Sequence, residues 1–315
     1  DSGTERDETK DAGLWGDEGA INEGPQMYFA DGRYYLIYSP QGFASPTYDT
    51  KQAIGDSPLG PFKKLPWYPS VIMGKNDTND YMTGTGHSAF VEADGQLFCI
   101  YWVHADPFSG ATSATDGRIY GFDQVFLTED ATYGKLLYGN GPTKSVQPKP
   151  DIATGKKNVA PEAKVSATNA YDDTLKYIND GLFVTHQYYA DREFTAKGKT
   201  AITFKFDAPR KINAVLVYNS FDYDYAFSGI EGISFKLAEK PAWYNLSEYV
   251  DECFIENIPF IKDYYDSVNK FMRQGGASVA SFDDIVVSEV NIIVSEKISD
   301  VNKEIKISDV VILGE

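Results

Sequence analysis

Short runs of apolar and aromatic residues alternate with turn dipeptides along most of the chain, and this pattern predicts strands. Between residues 21 and about 147 these runs are separated by Asp-Gly, Ser-Pro and Gly-Pro pairs, with no 3.6-residue period. Residues 158–315 are again rich in strands, and several alternate apolar and polar positions, as in Ile202-Thr-Phe-Lys-Phe206. We therefore predict an all-β protein.

Changes in composition along the chain predict its domain boundaries. Residues 1–20 form a polar lead-in that is rich in glycine and acidic residues, and residues 21–147 form the first domain. Residues 148–157 are a polar linker with proline and glycine, and residues 158–315 form the second domain, a β-sandwich with one large insertion. We expect the lead-in to be poorly ordered or to lie on the surface.

The first domain contains an internal repeat with an offset of 63 residues: Asp31-Gly-Arg-Tyr-Tyr-Leu-Ile-Tyr38 returns as Asp94-Gly-Gln-Leu-Phe-Cys-Ile-Tyr101. An Asp-Gly pair between two apolar strands predicts a type I′ hairpin, since both central residues of that turn need positive φ. A hairpin repeated every ~50–65 residues is typical of β-propeller blades. Two unrelated hairpins that share a turn are the alternative.

Composition narrows the classes of ligand. Among 315 residues, 46 are acidic and 29 are basic, and the net charge of −17 disfavours binding to nucleic acid. The 22 Tyr, 19 Phe and 4 Trp suit a neutral ligand that stacks on rings, such as a sugar.

No apolar run approaches the ~20 residues of a membrane-spanning helix. Cys99 and Cys253 lie far apart, so they predict neither a disulfide framework nor a zinc site.

Three polar residues of the first domain are candidates for chemistry. Glu23 opens a strand within Glu-Gly-Pro, where a stiff backbone suits a general acid, although a surface turn residue is the alternative. Adding the offset of 63 to position 23 gives position 86, so Glu23 and His87 (in Gly-Thr-Gly-His) start equivalent strands to within one residue. The first residues of such strands surround the propeller axis, so we expect the two side chains to meet there. A histidine whose hydrogen bonds are satisfied by backbone groups is the alternative. The planar guanidinium of Arg118 can donate several hydrogen bonds in a fixed geometry to a sugar or a carboxylate. A solvated surface arginine is the alternative.

In order and spacing these segments resemble glycoside hydrolase family 43, five-bladed β-propeller enzymes that act on arabinose- and xylose-containing polysaccharides. The matching features are Glu-Gly-Pro before an aromatic strand, DGRYYLIYS, Ser57-Pro-Leu-Gly-Pro61, GTGH, an aromatic strand that ends at His104, and Gly-Arg at 117–118. The resemblance implies that Glu23 is the general acid and that Arg118 contacts the sugar. It also implies that His87 lies on the axis, near a calcium ion or a water.

The family's reaction also uses two Asp residues from earlier blades, and only about 20 residues precede Glu-Gly-Pro here. We expect a partial five-bladed propeller, its second half, completed by an N-terminal propeller segment of the same protein. The leading hypothesis is an inverting glycosidase for arabinofuranosyl or xylosyl linkages of plant-type polysaccharides, with Glu23 as acid and with Arg118, His87 and Trp102 at the sugar. The alternative is a non-catalytic carbohydrate-binding protein with a degenerate propeller.

The second domain resembles the discoidin-like (coagulation factor V/VIII type C) sandwich, a jelly roll. The matching residues are 158–168, Asn179-Asp-Gly181 and the closing IKISDVVILGE. The resemblance implies a structural calcium ion in the loop of Asp180, a plain Asp-Gly turn being the alternative. We expect no organic cofactor. The chain begins with Asp, so we expect either a removed targeting segment or a fragment, and a secreted, periplasmic or cell-surface protein.

Overall fold

The computed structural model describes residues 18, 21–74, 82–104, 117–143, 146–238, 254–257, 276–295 and 303–315. The chain divides into two compact units, residues 1–143 and residues 144–315. Strands dominate both units and the described helices are short, which confirms the predicted all-β class. None of the helices in these described parts has the length and apolar character that crossing a bilayer requires.

The first unit forms two antiparallel sheets joined by turns and one short helix, α1 (Trp67–Ser70). One sheet has the order β1-β2-β3-β4, with β5 also paired to β3, and the other has the order β6-β7-β8-β9. Each sheet is one blade of the predicted partial propeller. The strands are β1 (Asn22–Ala30), β2 (Arg33–Pro40), β3 (Thr50–Gly55), β4 (Lys63–Lys64), β5 (Val71–Met73), β6 (Ala89–Ala93), β7 (Gln96–His104), β8 (Arg118–Asp130) and β9 (Gly134–Gly139).

The repeat corresponds to two hairpins, β1–β2 and β6–β7. Asp31 and Gly32 have φ of 54° and 79°, and Asp94 and Gly95 have φ of 51° and 76°. Both central residues of each turn therefore adopt the left-handed conformation that a type I′ turn needs. The predicted hairpins are confirmed, and they make β1 and β6 equivalent strands of the two blades.

Polar side chains join the two blades. The Gln52 side chain accepts a hydrogen bond from the Leu137 backbone N–H at 3.0 Å and donates to the Leu137 carbonyl at 2.8 Å. Arg33 donates to the carbonyl of Tyr133 at 2.7 Å, and the Tyr35 hydroxyl donates to the carbonyl of Lys135 at 3.0 Å. These bonds hold β9 of the second blade against β2 and β3 of the first. They therefore fix the position of the start of β6 relative to the start of β1.

Glu18, which lies within the predicted polar lead-in 1–20, is 9% exposed and belongs to the interior of the first unit. Its carboxylate accepts hydrogen bonds from the Tyr38 hydroxyl at 2.9 Å and from Lys64 Nζ at 2.5 Å. The 1% exposed Lys51 places its Nζ 3.5 Å away, and burial lowers the pKa of Lys51 while Glu18 opposes that change. Sequence analysis missed this residue; the other residues of 1–20 lie outside the described ones.

The second unit is a β-sandwich built around two long strands, β13 and β16. The pairing order is β10-β17-β13-β16-β14, with β11 also on β13, β12 on β17 and β15 on β16. The strands are β10 (Lys157–Asn158), β11 (Ala163–Ala167), β12 (Phe194–Ala196), β13 (Thr200–Asn219), β14 (Ile230–Leu237), β15 (Phe254–Glu256), β16 (Ala277–Val294) and β17 (Ile305–Gly314). The helices are α2 (Asp151–Thr154) and the short 3-10 segments Ala160–Glu162, Asp172–Tyr177, Gln187–Arg192 and Tyr223–Tyr225.

Glu193 is a carboxyl group buried inside the second unit, directly before β12, and it is 1% exposed. It accepts a hydrogen bond from the Ser220 hydroxyl at 3.0 Å and lies 4.0 Å from Lys306 Nζ. Burial raises the pKa of Glu193 to about 7, the Lys306 charge opposes the rise, and Asp222 adds to it. The ionised form of this side chain is therefore unfavourable inside the fold.

We expect the free energy of unfolding of the second unit to fall as pH rises from about 4.5 towards 7. The folded-state pKa of Glu193 is raised, so its contribution is fully present below 4.5 and is lost as pH passes about 7. One pKa unit is worth about 1.4 kcal/mol, so the loss is on the order of 3 kcal/mol. Urea unfolding of the chain at several pH values measures this loss. The unfolding of the second unit is detected by the susceptibility of its peptide bonds to proteolysis.

Glu193→Gln should reduce this pH dependence by the contribution of Glu193, while Asp180 and Asp309, whose pKa values are also raised, keep theirs. Glu231→Gln, at an exposed carboxylate paired with Lys199, should leave the pH dependence as it is in wild type. Equal pH dependence in both variants would contradict the assignment to Glu193.

Candidate active site

A β-bulge places Glu23 at the opening of β1. Glu23 lies opposite Ser39 and Gln26 lies opposite Ile37, so β1 holds one extra residue between these pairs. Gly24 takes a φ of 59°, which favours glycine, and Pro25 stiffens the next position. The bulge therefore aims the Glu23 side chain, 41% of which is exposed, out of the first blade.

The side chains of Glu23 and His87 meet across the two blades, as the repeat offset predicted. His87 Nδ1 lies 4.0 Å from Glu23 Oε1. The His87 backbone N–H donates to the Ser39 hydroxyl at 2.7 Å, and Ser39 is the residue opposite Glu23 in the β1–β2 ladder. One serine thus ties the opening of the second blade to the position of the carboxylate.

Tyr48 lies between Glu23 and His87, and sequence analysis did not single it out. Its hydroxyl donates to Glu23 Oε1 at 2.5 Å and lies 3.4 Å from His87 Nδ1. The Tyr48 side chain is fully buried. Burial raises the pKa of Tyr48 far above its ordinary value, the hydrogen bond to Glu23 adds to the rise, and the Arg118 charge opposes it. The phenol is therefore a neutral donor at any working pH.

The glycines of Gly-Thr-Gly-His make room for two rings. A Cβ at Gly84 would lie 2.4 Å from His104 Nε2, and a Cβ at Gly86 would lie 2.6 Å from Tyr48 Cε1. The two rings that pass so close to these glycines belong to side chains of the same unit. The motif is therefore part of the support of the site.

His104 holds the loop that carries Phe43. The fully buried His104 ring has Nδ1 at 2.9 Å from the Thr83 hydroxyl and Nε2 at 2.9 Å from the Phe43 carbonyl oxygen. A carbonyl only accepts, so Nε2 carries a proton and donates it to Phe43. This buried pair of hydrogen bonds positions Phe43 beside Arg118.

The Arg118 guanidinium lies between two aromatic rings at the start of β8. Its Cζ is 4.5 Å from the Trp102 ring centroid and 5.5 Å from that of Phe43. Trp102 in turn stacks on Tyr120, which is 70% exposed, at 4.2 Å. Within the described residues, Arg118 Nη1 is buried without a hydrogen-bond partner. An oriented donor beside exposed aromatic surface can bind a polar ligand with apolar faces, such as a sugar.

In the second unit, Asp180 lies beside Asp309, a residue that sequence analysis missed. Asp309 is fully buried; its Oδ1 accepts from the Gly181 N–H at 3.2 Å, while Oδ2 has no hydrogen-bond partner among the described residues. Burial, and then the Asp180 charge, raise the pKa of Asp309 well above its usual range. Asp180 is exposed as a residue, yet the protein around its carboxyl raises its pKa to about 6.

Two neighbouring carboxyls with a buried, unpartnered oxygen fit a hard cation that takes its other ligands from backbone carbonyls. Groups of three or more His, Cys, Asp or Glu side chains suited to a metal do not occur in the described parts of the chain. A site here would therefore depend on backbone oxygens as well as on Asp180 and Asp309. His87 as a ligand of an ion on the propeller axis stays a prediction.

Comparisons with known proteins bear on both units. The family model of glycosyl hydrolases family 43 matches residues 2–133. A β-D-galactofuranosidase of Aspergillus niger is 33% identical over 107 residues, which are 34% of this chain and 29% of that protein. A thermostable family-43 glycoside hydrolase of known structure is 34% identical, with a TM-score of 0.34, and the match covers 41% of this chain and 38% of that one.

The family 32 CBM from C. perfringens NanJ, solved in complex with galactose, is 12% identical with a TM-score of 0.34 over 50% of this chain and 98% of that one. The chain spans less than a third of the curated relative and 38% of the first solved structure. The family match begins at residue 2, so it includes most of the predicted lead-in. Over residues 2–133, the predicted resemblance is confirmed: this part of the chain is similar to glycosyl hydrolases family 43.

Proposed function

We propose that this chain is part of an inverting glycosidase and supplies its general acid, Glu23. The observation that carries the proposal is the contact of Glu23, Tyr48 and His87 at the openings of two blades. The Glu23 carboxyl has one oxygen held by a buried phenol, and 41% of its side chain is open to solvent. A carboxyl group with a fixed direction and an accessible face suits proton transfer to a glycosidic oxygen.

As substrate we propose an arabinofuranosyl or xylosyl linkage of a plant-type polysaccharide. One matched protein is named a β-D-galactofuranosidase, and another, from Bacteroides thetaiotaomicron, is named an endo-1,4-beta-xylanase. These names support a furanosyl or xylosyl sugar as the substrate. Arg118 Nη1 would donate to a sugar hydroxyl, and the rings of Trp102 and Tyr120 would contact its C–H faces. A polymeric substrate of this kind favours a secreted, periplasmic or cell-surface protein.

We propose that an N-terminal propeller segment of the same protein supplies the opposing carboxylate. Inversion needs a general base about 6.5–9.5 Å from the acid, and Glu23 cannot fill both roles. Large apolar side chains on the two blades support the proposal, since Phe29 is 55%, Phe122 48% and Val91 45% exposed. Neighbouring blades would cover such side chains.

Sugar binding without hydrolysis is the second candidate function. It is favoured by the Arg118 guanidinium, which is already held between the rings of Trp102 and Phe43 with a buried N–H unused. This arrangement can hold a sugar whether or not Glu23 transfers a proton. A propeller that has lost its acid–base partners would keep this property.

The deciding experiment is an assay of the complete protein, with the segment that contains the earlier blades, on arabinan, xylan and galactofuranosyl oligosaccharides. We expect release of a sugar whose anomeric configuration, measured by NMR at early times, is inverted. Release by Glu23→Gln should be about 10²- to 10⁴-fold slower. Binding of these oligosaccharides without any release would support the second candidate and remove Glu23 from the acid role.

We also propose that Asp180 and Asp309 hold a structural calcium ion in the second unit. The buried Asp309 Oδ2 without a hydrogen-bond partner supports this, because a buried carboxylate is costly unless it is paired or coordinates a metal. When bound, the ion would neutralise both carboxylates and fix the Asp180 loop on β17.

Calcium is expected to raise the thermal midpoint of the second unit. A ligand that binds only the folded state stabilises it by about 2.7 kcal/mol at 100 times its dissociation constant, or about 5–10 °C for a unit of this size. Scanning calorimetry of the chain with calcium or with a chelator measures the increment. Asp309→Asn should lose the increment, and Asp207→Asn, at an exposed ion pair with Lys164, should keep it. Equal increments in both variants would refute the site.

A further inference from the structure

Tyr48 is held rigidly where it meets the carboxyl of Glu23. It closes the turn after β2, where its backbone N–H donates to the Ser45 carbonyl at 3.1 Å. The ring packs against Gly86 so closely that a Cβ there would lie 2.6 Å away. Its side chain is completely buried. A side chain fixed by its turn and by packing can aim one hydrogen bond with little freedom to move.

The single hydroxyl hydrogen of Tyr48 goes to Glu23. The distance from Tyr48 Oη to Glu23 Oε1 is 2.5 Å, whereas that to His87 Nδ1 is 3.4 Å. Because Oε1 accepts this bond, the other oxygen, Oε2, is the better place for the proton of the carboxylic acid.

We propose that Tyr48 is a positioning residue for the general acid: it holds Glu23 by Oε1, so that the proton delivered to the substrate leaves from Oε2. This inference rests on the proposed glycosidase function. In the step, the Glu23 Oε2–H bond breaks and its proton joins the glycosidic oxygen. The bond between that oxygen and the anomeric carbon breaks with its electron pair on the oxygen, while a water attacks the carbon and loses a proton to the opposing carboxylate.

The hydrogen bond from Tyr48 should strengthen as Glu23 becomes a carboxylate. Negative charge develops on the carboxyl only as its proton leaves, so a donor already in place stabilises the transition state more than the ground state. Its loss should therefore lower kcat more than it raises KM. Its loss should also make the carboxylate harder to form, so the pH at which activity falls on the alkaline side should rise.

The first test measures kcat and KM against pH for the complete protein and for Tyr48→Phe. We expect about a tenfold lower kcat on natural glycans, a nearly unchanged KM, and an alkaline limb displaced to higher pH. Tyr35→Phe is the matched control, because Tyr35 is equally buried in the same unit and its hydroxyl bonds the Lys135 carbonyl instead. Gly86→Ala, which displaces the Tyr48 ring without removing its hydroxyl, should move the limb in the same direction.

The second test needs no activity. In this chain with ¹³C-labelled glutamate, the carboxyl resonance of Glu23, assigned by its loss in Glu23→Gln, should titrate at a higher pH in Tyr48→Phe than in wild type. An unchanged titration, or an alkaline limb of Tyr48→Phe that matches that of Tyr35→Phe, would overturn the positioning role even if Glu23→Gln is inactive. An altered titration in a protein whose Glu23→Gln variant is fully active would instead remove the proposed function, and this inference with it.

Discussion

Replacing Glu23 with glutamine is expected to lower the turnover of natural glycans about 10²- to 10⁴-fold, the range that general acid catalysis contributes. Glutamine keeps the shape of the side chain, and its amide oxygen can still accept from the Tyr48 hydroxyl, so the site should stay intact. Sugars should bind as before. Aryl glycosides with good leaving groups should lose far less activity, because their leaving oxygen needs little protonation.

Steady-state kinetics of the complete protein on both substrate types, together with calorimetric binding of an oligosaccharide, check this prediction. Glu92→Gln is a suitable control, because Glu92 is an exposed carboxylate on β6, the strand equivalent to β1. Unchanged turnover of a natural glycan by Glu23→Gln would exclude Glu23 as the acid. An equal loss with all leaving groups would indicate a structural effect in place of proton transfer.

Arg118→Ala is expected to lower kcat/KM on natural glycans about 100-fold, because hydrogen bonds from charged donors are the stronger ones. The change removes a buried donor and also the cation between the rings of Trp102 and Phe43. Both losses concern sugar binding, so the affinity for oligosaccharides should fall as well. Kinetics on natural substrates and calorimetric titration measure the two effects.

Arg118→Lys separates charge from shape. Lysine keeps the positive charge but has no planar fork to stack on Trp102, so we expect most of the loss to remain. A lysine variant with wild-type affinity would show that only the charge matters. An alanine variant with wild-type affinity would remove Arg118 from the proposed sugar site.

The repeat made the central feature of the candidate site predictable. Asp-Gly turns are a local signal, and their offset of 63 residues predicted that Glu23 and His87 open equivalent strands. The structure places the two side chains 4.0 Å apart. Residues at equivalent positions of successive blades become neighbours through the symmetry of the fold, so no knowledge of individual contacts was needed.

Sequence patterns did not single out Tyr48 or Asp309. Tyr48 lies in a turn with no motif of its own, and its partners are 25 and 39 residues away. Asp309 did leave a signal, since a charged residue inside the apolar strand Ile305–Gly314 must find a partner or a cation. That signal did not indicate the partner, because Asp180 is 129 residues earlier in the sequence.

The strand boundaries of the second unit were also only partly predictable from the sequence pattern. The alternating segment Ile202–Phe206 predicted a short strand, whereas in the structure it is part of one long strand, β13. The register of β13 against β16 shifts between Lys205 and Arg210 and again between Ile212 and Ala214. Its first half pairs with β11 and its second half with β17, while β16 runs along both. Bulges of this kind depend on the partner strands as well as on the local pattern.

The sequence by itself determined the strand class, the hairpins with their turns and the equivalence of Glu23 and His87. The strands and turns follow from backbone preferences that act within a few residues. The equivalence of Glu23 and His87 follows from the repeat, through the symmetry of the blades. The tertiary structure alone decided that Tyr48 holds Glu23, that Glu18 is an interior residue, and that Asp309 faces Asp180. The physical reason is that buried hydrogen bonds and charge pairs form between side chains brought together by packing, and packing is a property of the whole fold.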